Sequence, residues 1–136
     1  MTYSSAVFQS ETDTLEDAQN RKYQKLAELA DIQPGERVLE IGCGWGGFAE
    51  YAAKEYGAHV TGITISKEQY DFTKNRLRTA GLDHMTDIVM QDYRKLNQRF
   101  DKIVSIEMFE AVGEKYWPVY FKTIANCLKE GGKAVS

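Results

Sequence analysis

The segment Ser105 to Gly113 reads Ser-Ile-Glu-Met-Phe-Glu-Ala-Val-Gly and continues an apolar run, Ile103-Val104-Ser105-Ile106. Two carboxylates, Glu107 and Glu110, come at the end of that run, with Phe109 beside the second. If the run is a parallel strand, its carboxyl end opens onto the crevice where α/β sheets bind ligands. A carboxylate and an aromatic ring placed there can handle a proton and a passing positive charge. The plainer reading of the same residues is a solvated loop, or a carboxylate meeting the dipole of a following helix.

The second cluster is Gly42-Cys43-Gly44-Trp45-Gly46-Gly47. Glycines in such a turn supply positive φ and let the backbone approach a ligand without a Cβ in the way. Gly42, Gly44 and Gly47 satisfy the dinucleotide pattern G-x-G-x-x-G, which is weak evidence by itself. Cys43 can equally be a small packed residue, and Trp45 a ring lying on the following helix.

These clusters need elements to position them. Asp13 or Thr14 can cap a first helix, with Asp17 completing a capping box after Thr14. Leu15 to Ala30 carries Leu15, Ala18, Leu26 and Leu29 at helical spacing, and Gln33-Pro34-Gly35 ends that helix. Arg37 to Ile41 reads as a buried strand, the glycine turn follows, and a helix runs to about Tyr56. His59 to Thr64 is a second strand. Ser66 opens a helix to about Ala80, with Gln69 placed for a capping box, and Gly81 can end it. Thr86 to Met90 and Lys102 to Ile106 read as strands. Pro118 fits the first turn of a helix through Leu128, which Gly131-Gly132 should close. A fifth strand only starts, at Lys133. Alternating strands and helices predict an α/β fold: a parallel sheet with helices on both faces.

The gross composition fits one globular unit. The protein has 136 residues, 43% of them hydrophobic and 27% charged, with a formal net charge of −3. That balance argues against a nucleic-acid binder, which usually carries a basic excess. No apolar run approaches the ~20 residues that span a bilayer, and no secretory leader is read. Cys43 and Cys127 lack metal-type spacing, so no metal site is expected and a reducing cytoplasm fits best. The cluster Arg21, Lys22 and Lys25 reads as a solvated face.

Glu40, Gly42, Gly44 and Gly46 also satisfy E-x-G-x-G-x-G, which resembles motif I of S-adenosylmethionine-dependent methyltransferases. A dinucleotide site wants an acid about 20 residues on, to hold the ribose. The second strand ends instead in Thr64-Ile65-Ser66, without one. The third strand ends in Gln91-Asp92, where methyltransferases commonly place an acceptor for the adenine amino group. The methyltransferase reading is therefore preferred.

Five blocks carry a closer resemblance: Tyr3 to Ala6; Val38 to Gly47; Val60 to Ser66 with Gln69; Gln91-Asp92-Tyr93-Arg94; and Phe100-Asp101 through Ser105 to Gly113. In order and spacing they resemble the cyclopropane-fatty-acyl-phospholipid synthases and mycolic acid cyclopropane synthases. The resemblance implies a Rossmann-like class I methyltransferase core acting on cis double bonds of phospholipid acyl chains. In that chemistry the alkene attacks the sulfonium methyl, a carbocation forms, and a base, bound bicarbonate, removes the proton that lets the ring close. Carried over by residue, Tyr3 and Ser4 line the cofactor pocket from an N-terminal arm. Gly42, Cys43, Gly44, Trp45 and Gly46 wrap the methionine moiety and ribose. Thr64, Ile65, Ser66 and Gln69 lie along the ribose and adenine, and Gln91 and Asp92 meet the adenine edge. Glu110 matches the carboxylate that helps hold bicarbonate, and Ser5 stands where many relatives place a contributing cysteine. Glu107 is often glycine in relatives and receives no role. Phe109 can add a cation–π contribution of ~0.5–2 kcal/mol.

The family core has more strands than are read here, and it draws a histidine and a tyrosine for the anion from later sequence; His59 and His84 match neither. The chain is thus expected to be a fragment with C-terminal strands missing. It is read as one domain, 1–136, with an arm and helix over 1–33 and a partial core over 34–136. Alone it is expected to bind S-adenosylmethionine but not to cyclopropanate lipid. The parent protein is expected to be cytoplasmic and peripheral to the membrane. An open sheet edge makes a homo-oligomer plausible. The competing readings are a small-molecule N-methyltransferase, a C-methyltransferase of lipid acyl groups and a nonenzymatic cofactor-binding module.

Overall fold

The computed structural model describes residues 14–105 and 114–135. Helix α1 (Leu15–Ala30) begins with the expected reciprocal cap. The Thr14 hydroxyl accepts from the Asp17 N–H, and the Asp17 carboxylate accepts from the Thr14 N–H. Such a cap contributes about 1 kcal/mol. The buried face matches the stripe read in the sequence at Ala18 and, half-buried against the core, at Leu26, but not at Leu15 and Leu29. Ala18, Tyr23, Ala27 and Ala30 face inward, while Leu15 and Leu29 are 61% and 59% exposed. Tyr23 provides the bulk on this face, edge-on to Phe48.

Five strands form one parallel sheet: β1 (Arg37–Ile41), β2 (His59–Thr64), β3 (Thr86–Met90), β4 (Phe100–Ser105) and β5 (Leu128–Val135), in the order β3-β2-β1-β4-β5. Between them run α2 (Gly47–Tyr56), α3 (Lys67–Thr79) and α4 (Trp117–Cys127), with short 3-10 turns at Tyr93–Lys95 and Glu114–Tyr116. Val38, Val60 and Val104 face a core shared with α1, α2 and α3. Leu39, Ile41, Ile63 and Ile103 face the other way, against Tyr120 and Cys127 of α4. Both faces are therefore covered, which is why neighbouring residues such as Val38-Leu39 and Ile103-Val104 are both apolar rather than alternating with polar ones.

Two expectations need correction. β4 starts at Phe100, ahead of Lys102, and its described residues end at Ser105, so Ile106 lies outside them. The last helix stops at Cys127, and β5 begins at once rather than after Gly131-Gly132. Phe100 pairs with Leu128 but Lys102 pairs with Lys133, so residues 129–132 bulge out of register. Gly131 takes φ 77° inside that bulge, and a Cβ on Gly132 would stand 2.9 Å from the Asp101 carbonyl. The glycine pair thus serves a bulge, a use of glycine that resembles a helix stop in sequence.

Lys102 is buried in β4 and holds α1 to the sheet. Its Nζ donates to the Asp31 carbonyl at 3.0 Å and pairs with Glu36 at 3.2 Å.

Candidate functional site

The strand order reverses beside β1, since the backbone turns to β2 on one side and β4 lies on the other. Crevices at such switch points, outside the carboxyl ends of the strands, are where open α/β sheets bind ligands. A cleft of about 380 Å³ opens there. Ile41 and Gly42 line it from the end of β1; Ile63, Thr64, Ile65, Ser66 and Gln69 from the turn after β2. Gln91, Asp92, Tyr93 and Arg94 line it after β3, and Tyr116 closes the far side.

The turn after β1 is shaped by bare backbone. Gly42, Gly44 and Gly46 take φ of 75°, 56° and 89°, values that a side group disfavours. The N–H groups of Gly42 and Cys43 both donate to the Ile63 carbonyl, at 3.1 and 3.0 Å. Gly46 is the N-cap of α2 and, being glycine, offers no side group to cap it. A Cβ on Gly44 would meet nothing within 4 Å, whereas one on Gly46 would stand 2.7 Å from Thr73 Cγ2. Gly62, on β2, makes room for Cys43, whose Cβ would lie 2.8 Å away from an added Cβ.

Cys43 is buried, and desolvation, followed by the charge of Glu40, pushes its thiol up to about 12. It is a packed residue here, since the thiolate is the reactive form. Trp45 packs edge-on against Phe72 of α3 at 5.3 Å, so its ring partner is α3 rather than the following helix. Beneath the loop, Glu40 is 2% exposed, and burial holds its carboxyl well above the ordinary carboxylate range. Glu40 Oε1 and Trp45 Nε1 are buried without a hydrogen-bond partner.

The turn after β2 is shaped by side chains. Ser66 accepts from the Gln69 N–H at 3.2 Å and so caps α3. Thr64 Oγ1 accepts from the Ser66 N–H at 3.1 Å and donates to Gln69 Oε1 at 2.9 Å. The capping box is therefore half made: the Gln69 side group turns to Thr64 and into the cleft wall instead of back to the cap. Ile65 lines the cleft and is 79% exposed.

Asp92 follows β3. Oδ1 accepts from the Arg94 N–H at 2.9 Å and from Nε at 3.0 Å, and Oδ2 pairs with Nη2. These contacts, the guanidinium first, hold the Asp92 carboxyl below its usual range. Nε also reaches Oδ2 at 3.1 Å, so Arg94 engages all of the about four acceptor positions of this carboxylate, and a ligand donor must share or displace one of these contacts. Gln91 lends its amide N–H to the Lys95 carbonyl at 3.1 Å.

β4 delivers its end to the same place. Ser105 pairs with Ile41, next to the glycine turn. It is pinned by Tyr120 of α4, whose hydroxyl donates to Ser105 Oγ, and the Tyr120 ring meets Tyr93 edge-on at 5.3 Å. Glu107, Phe109 and Glu110 follow that point in sequence but lie outside the described residues, as do Tyr3, Ser4 and Ser5.

Of the cofactor residues read from sequence, Gly42, Thr64, Ile65, Ser66, Gln69, Gln91 and Asp92 come together around one cleft. Cys43, Gly44, Trp45 and Gly46 form the turn beside it rather than its lining. Sequence reading passed over Ile41, Ile63, Tyr93, Arg94 and Tyr116. Tyr93 and Arg94 carry a readable signal, because they directly follow Gln91-Asp92; Tyr116 arrives from a distant element and carries none. Among the described residues, no cluster of His, Cys, Asp and Glu could hold a metal, and no helix is long and apolar enough to cross a membrane.

The comparison with known proteins agrees with this architecture. The chain is 46% identical over 132 residues to the cyclopropane-fatty-acyl-phospholipid synthase of Escherichia coli K12, covering 97% of this chain and 33% of that protein. It is 42% identical over 134 residues to a probable fatty acid methyltransferase of Pseudomonas putida, covering 97% and 34%. It thus spans about a third of the length of these relatives. The solved structure of mycolic acid cyclopropane synthase CmaA1 with SAH and CTAB superposes with a TM-score of 0.88 at 29% identity, over 94% of this chain and 45% of that one. The sheet is accordingly a class I methyltransferase core. The family model for mycolic acid cyclopropane synthetase matches residues 1–136, and the chain belongs to that family.

Proposed function

We propose that this chain is the S-adenosylmethionine-binding domain of an enzyme that forms cyclopropane rings on cis double bonds of phospholipid acyl chains. The observation that carries the reading is the cleft itself. Three successive strand ends build it, with a bare glycine turn after β1, a capped turn after β2 and an acid after β3. Its volume falls within the ~300–1,000 Å³ typical of small-molecule sites. When bound, the cofactor supplies an electrophilic sulfonium methyl. The protein's own residues bind and orient it. The turn at Gly42, Cys43, Gly44, Trp45 and Gly46 takes the methionine arm and ribose. Thr64, Ile65, Ser66 and Gln69 flank the ribose and adenine, with Ile63 and Ile65 as apolar walls. Gln91 and Asp92 meet the adenine edge, and Tyr3 and Ser4 close the pocket. The CmaA1 structure with SAH supports the choice of cofactor.

Glu110 and Ser5 are proposed to hold bicarbonate as the base. Glu110 follows β4, which ends beside the glycine turn. A developing cation is best stabilised by fixed charge in a dry pocket. The wider reading places the full-length protein in the cytoplasm, in peripheral contact with phospholipid, with self-association through the sheet edge. A second reading, methylation of the acyl group without ring closure, is favoured by the likeness to the probable fatty acid methyltransferase.

Calorimetry with S-adenosylmethionine and SAH, followed by incubation with unsaturated phospholipid vesicles, tests these claims. Binding without ring product from this chain is expected. Absence of binding overturns the cofactor reading, and ring product overturns the expectation that the chain is inactive alone. For a full-length protein, mass and proton spectra of the lipid separate a cyclopropane from a methyl branch.

A further inference from the structure

The glycine turn is shaped by its own residues but held in place by α3. Thr73 is fully buried, and its Oγ1 donates to the Gly44 carbonyl at 3.1 Å. One turn further along, Arg76 Nη1 donates to the Trp45 carbonyl at 3.2 Å. Arg76 is itself oriented by Glu50 of α2, whose Oε2 lies 3.2 Å from Nη2. The ring of Phe72, also on α3, lies against Trp45. The Thr73 methyl stands where a Cβ on Gly46 would go.

Two consecutive peptide planes of the turn are thus fixed from behind. Peptide units are planar and trans, so a carbonyl drawn toward α3 turns the N–H of the same unit away from α3. The Gly44 carbonyl fixes the Trp45 N–H in this way. The Trp45 carbonyl fixes the Gly46 N–H, which donates to the Cys43 carbonyl at 3.1 Å. A turn of three positive-φ glycines has little stiffness of its own, since glycine loses more conformational freedom on ordering than any other residue. External donors must supply it.

We infer that Thr73 and Arg76 are positioning residues for the cofactor, with Glu50 acting through Arg76. They set the turn in the orientation that receives the methionine arm, and they touch no part of the ligand themselves. This rests on the reading of the cleft as an S-adenosylmethionine site. It adds a determinant of affinity drawn from the face of α3 that backs the turn, outside the blocks that carry the family resemblance.

The test is binding of SAH and of adenosine, which lacks the methionine arm, to wild type and to Thr73→Val, Thr73→Ser, Arg76→Met and Arg76→Lys, with thermal unfolding of each. Thr73→Val removes one buried hydrogen bond at nearly constant volume, and is expected to weaken SAH about three- to tenfold. Thr73→Ser restores the hydroxyl and should bind as wild type does. Arg76→Met should weaken SAH by a similar factor, with Arg76→Lys intermediate because one ammonium cannot span both partners. Adenosine affinity should change less than SAH affinity in every variant. Equal loss of both ligands, or unchanged SAH binding by Thr73→Val and Arg76→Met with the fold intact, overturns the inference. Failure of wild type to bind SAH, whether or not adenosine binds, overturns the cofactor reading and this inference with it.

Discussion

The turns after β1 and β2 sit side by side on the same cleft, yet they are built by opposite means. The first exposes backbone: three glycines at positive φ, no capping side group, and its carbonyls tied to α3. The second is locked by its own side chains: Ser66 caps α3, and Thr64 bridges the Ser66 N–H to Gln69. The first turn therefore depends on partners far along the sequence, Thr73 and Arg76, and the second is nearly self-sufficient. A ligand that must be approached closely needs the bare kind, and the cost is rigidity borrowed from elsewhere.

The most damaging way to break the first turn is to give it a side group. Gly46→Val combines a left-handed φ of 89° with a Cβ 2.7 Å from Thr73 Cγ2. It should destabilise by about 3 kcal/mol, through left-handed strain plus overpacking, and urea unfolding would read this as a lower midpoint at unchanged slope. An unshifted midpoint would mean that α3 yields, and would remove the claim that the turn is braced.

The carboxyl beneath that turn provides a pH test. Burial raises the Glu40 pKa above its ordinary value of 4.5, so the folded state holds the proton more tightly than the unfolded state does. The Glu40 contribution to stability should then be greatest below 4.5 and fall as pH rises through the folded pKa, with a limiting slope of about 1.4 kcal/mol per unit. Glu40→Gln abolishes that slope. The wild-type minus variant difference in unfolding free energy, followed across pH, should grow less favourable to wild type as pH rises. A flat difference would show that folding leaves the Glu40 carboxyl unshifted.

The second turn should respond least. Ser66→Ala removes one cap and is expected to cost about 1 kcal/mol, with Ser66→Thr recovering most of it. If Ser66→Ala proved as harmful as Gly46→Val, the contrast between the two turns would be lost.

The sequence made the local elements legible wherever one residue type had one reason to be present. Thr14 with Asp17 marked the start of α1, and Pro118 the first turn of α4. The apolar residues Val38, Leu39 and Ile41, on both faces of β1, marked a buried strand. It misled where one residue type serves two purposes. Gly131-Gly132 looked like a helix stop and is a bulge within β5. The leucines of α1 looked like its core, yet Leu15 and Leu29 face solvent, because the alanines lie on the stripe that meets the sheet.

By itself, then, the sequence determined the order of strands and helices, the glycine turn and the family of the protein. All three follow from local spacing, from backbone conformations that only certain residues tolerate, and from blocks of characteristic residues in order. Only the tertiary structure decided which donors meet which acceptors across long separations. Thr73 and Arg76 reach the turn, Lys102 reaches the end of α1, and Tyr120 reaches the end of β4. Helical period fixes which residues share a face. Which carbonyl that face meets depends on how the sheet sets one element against another.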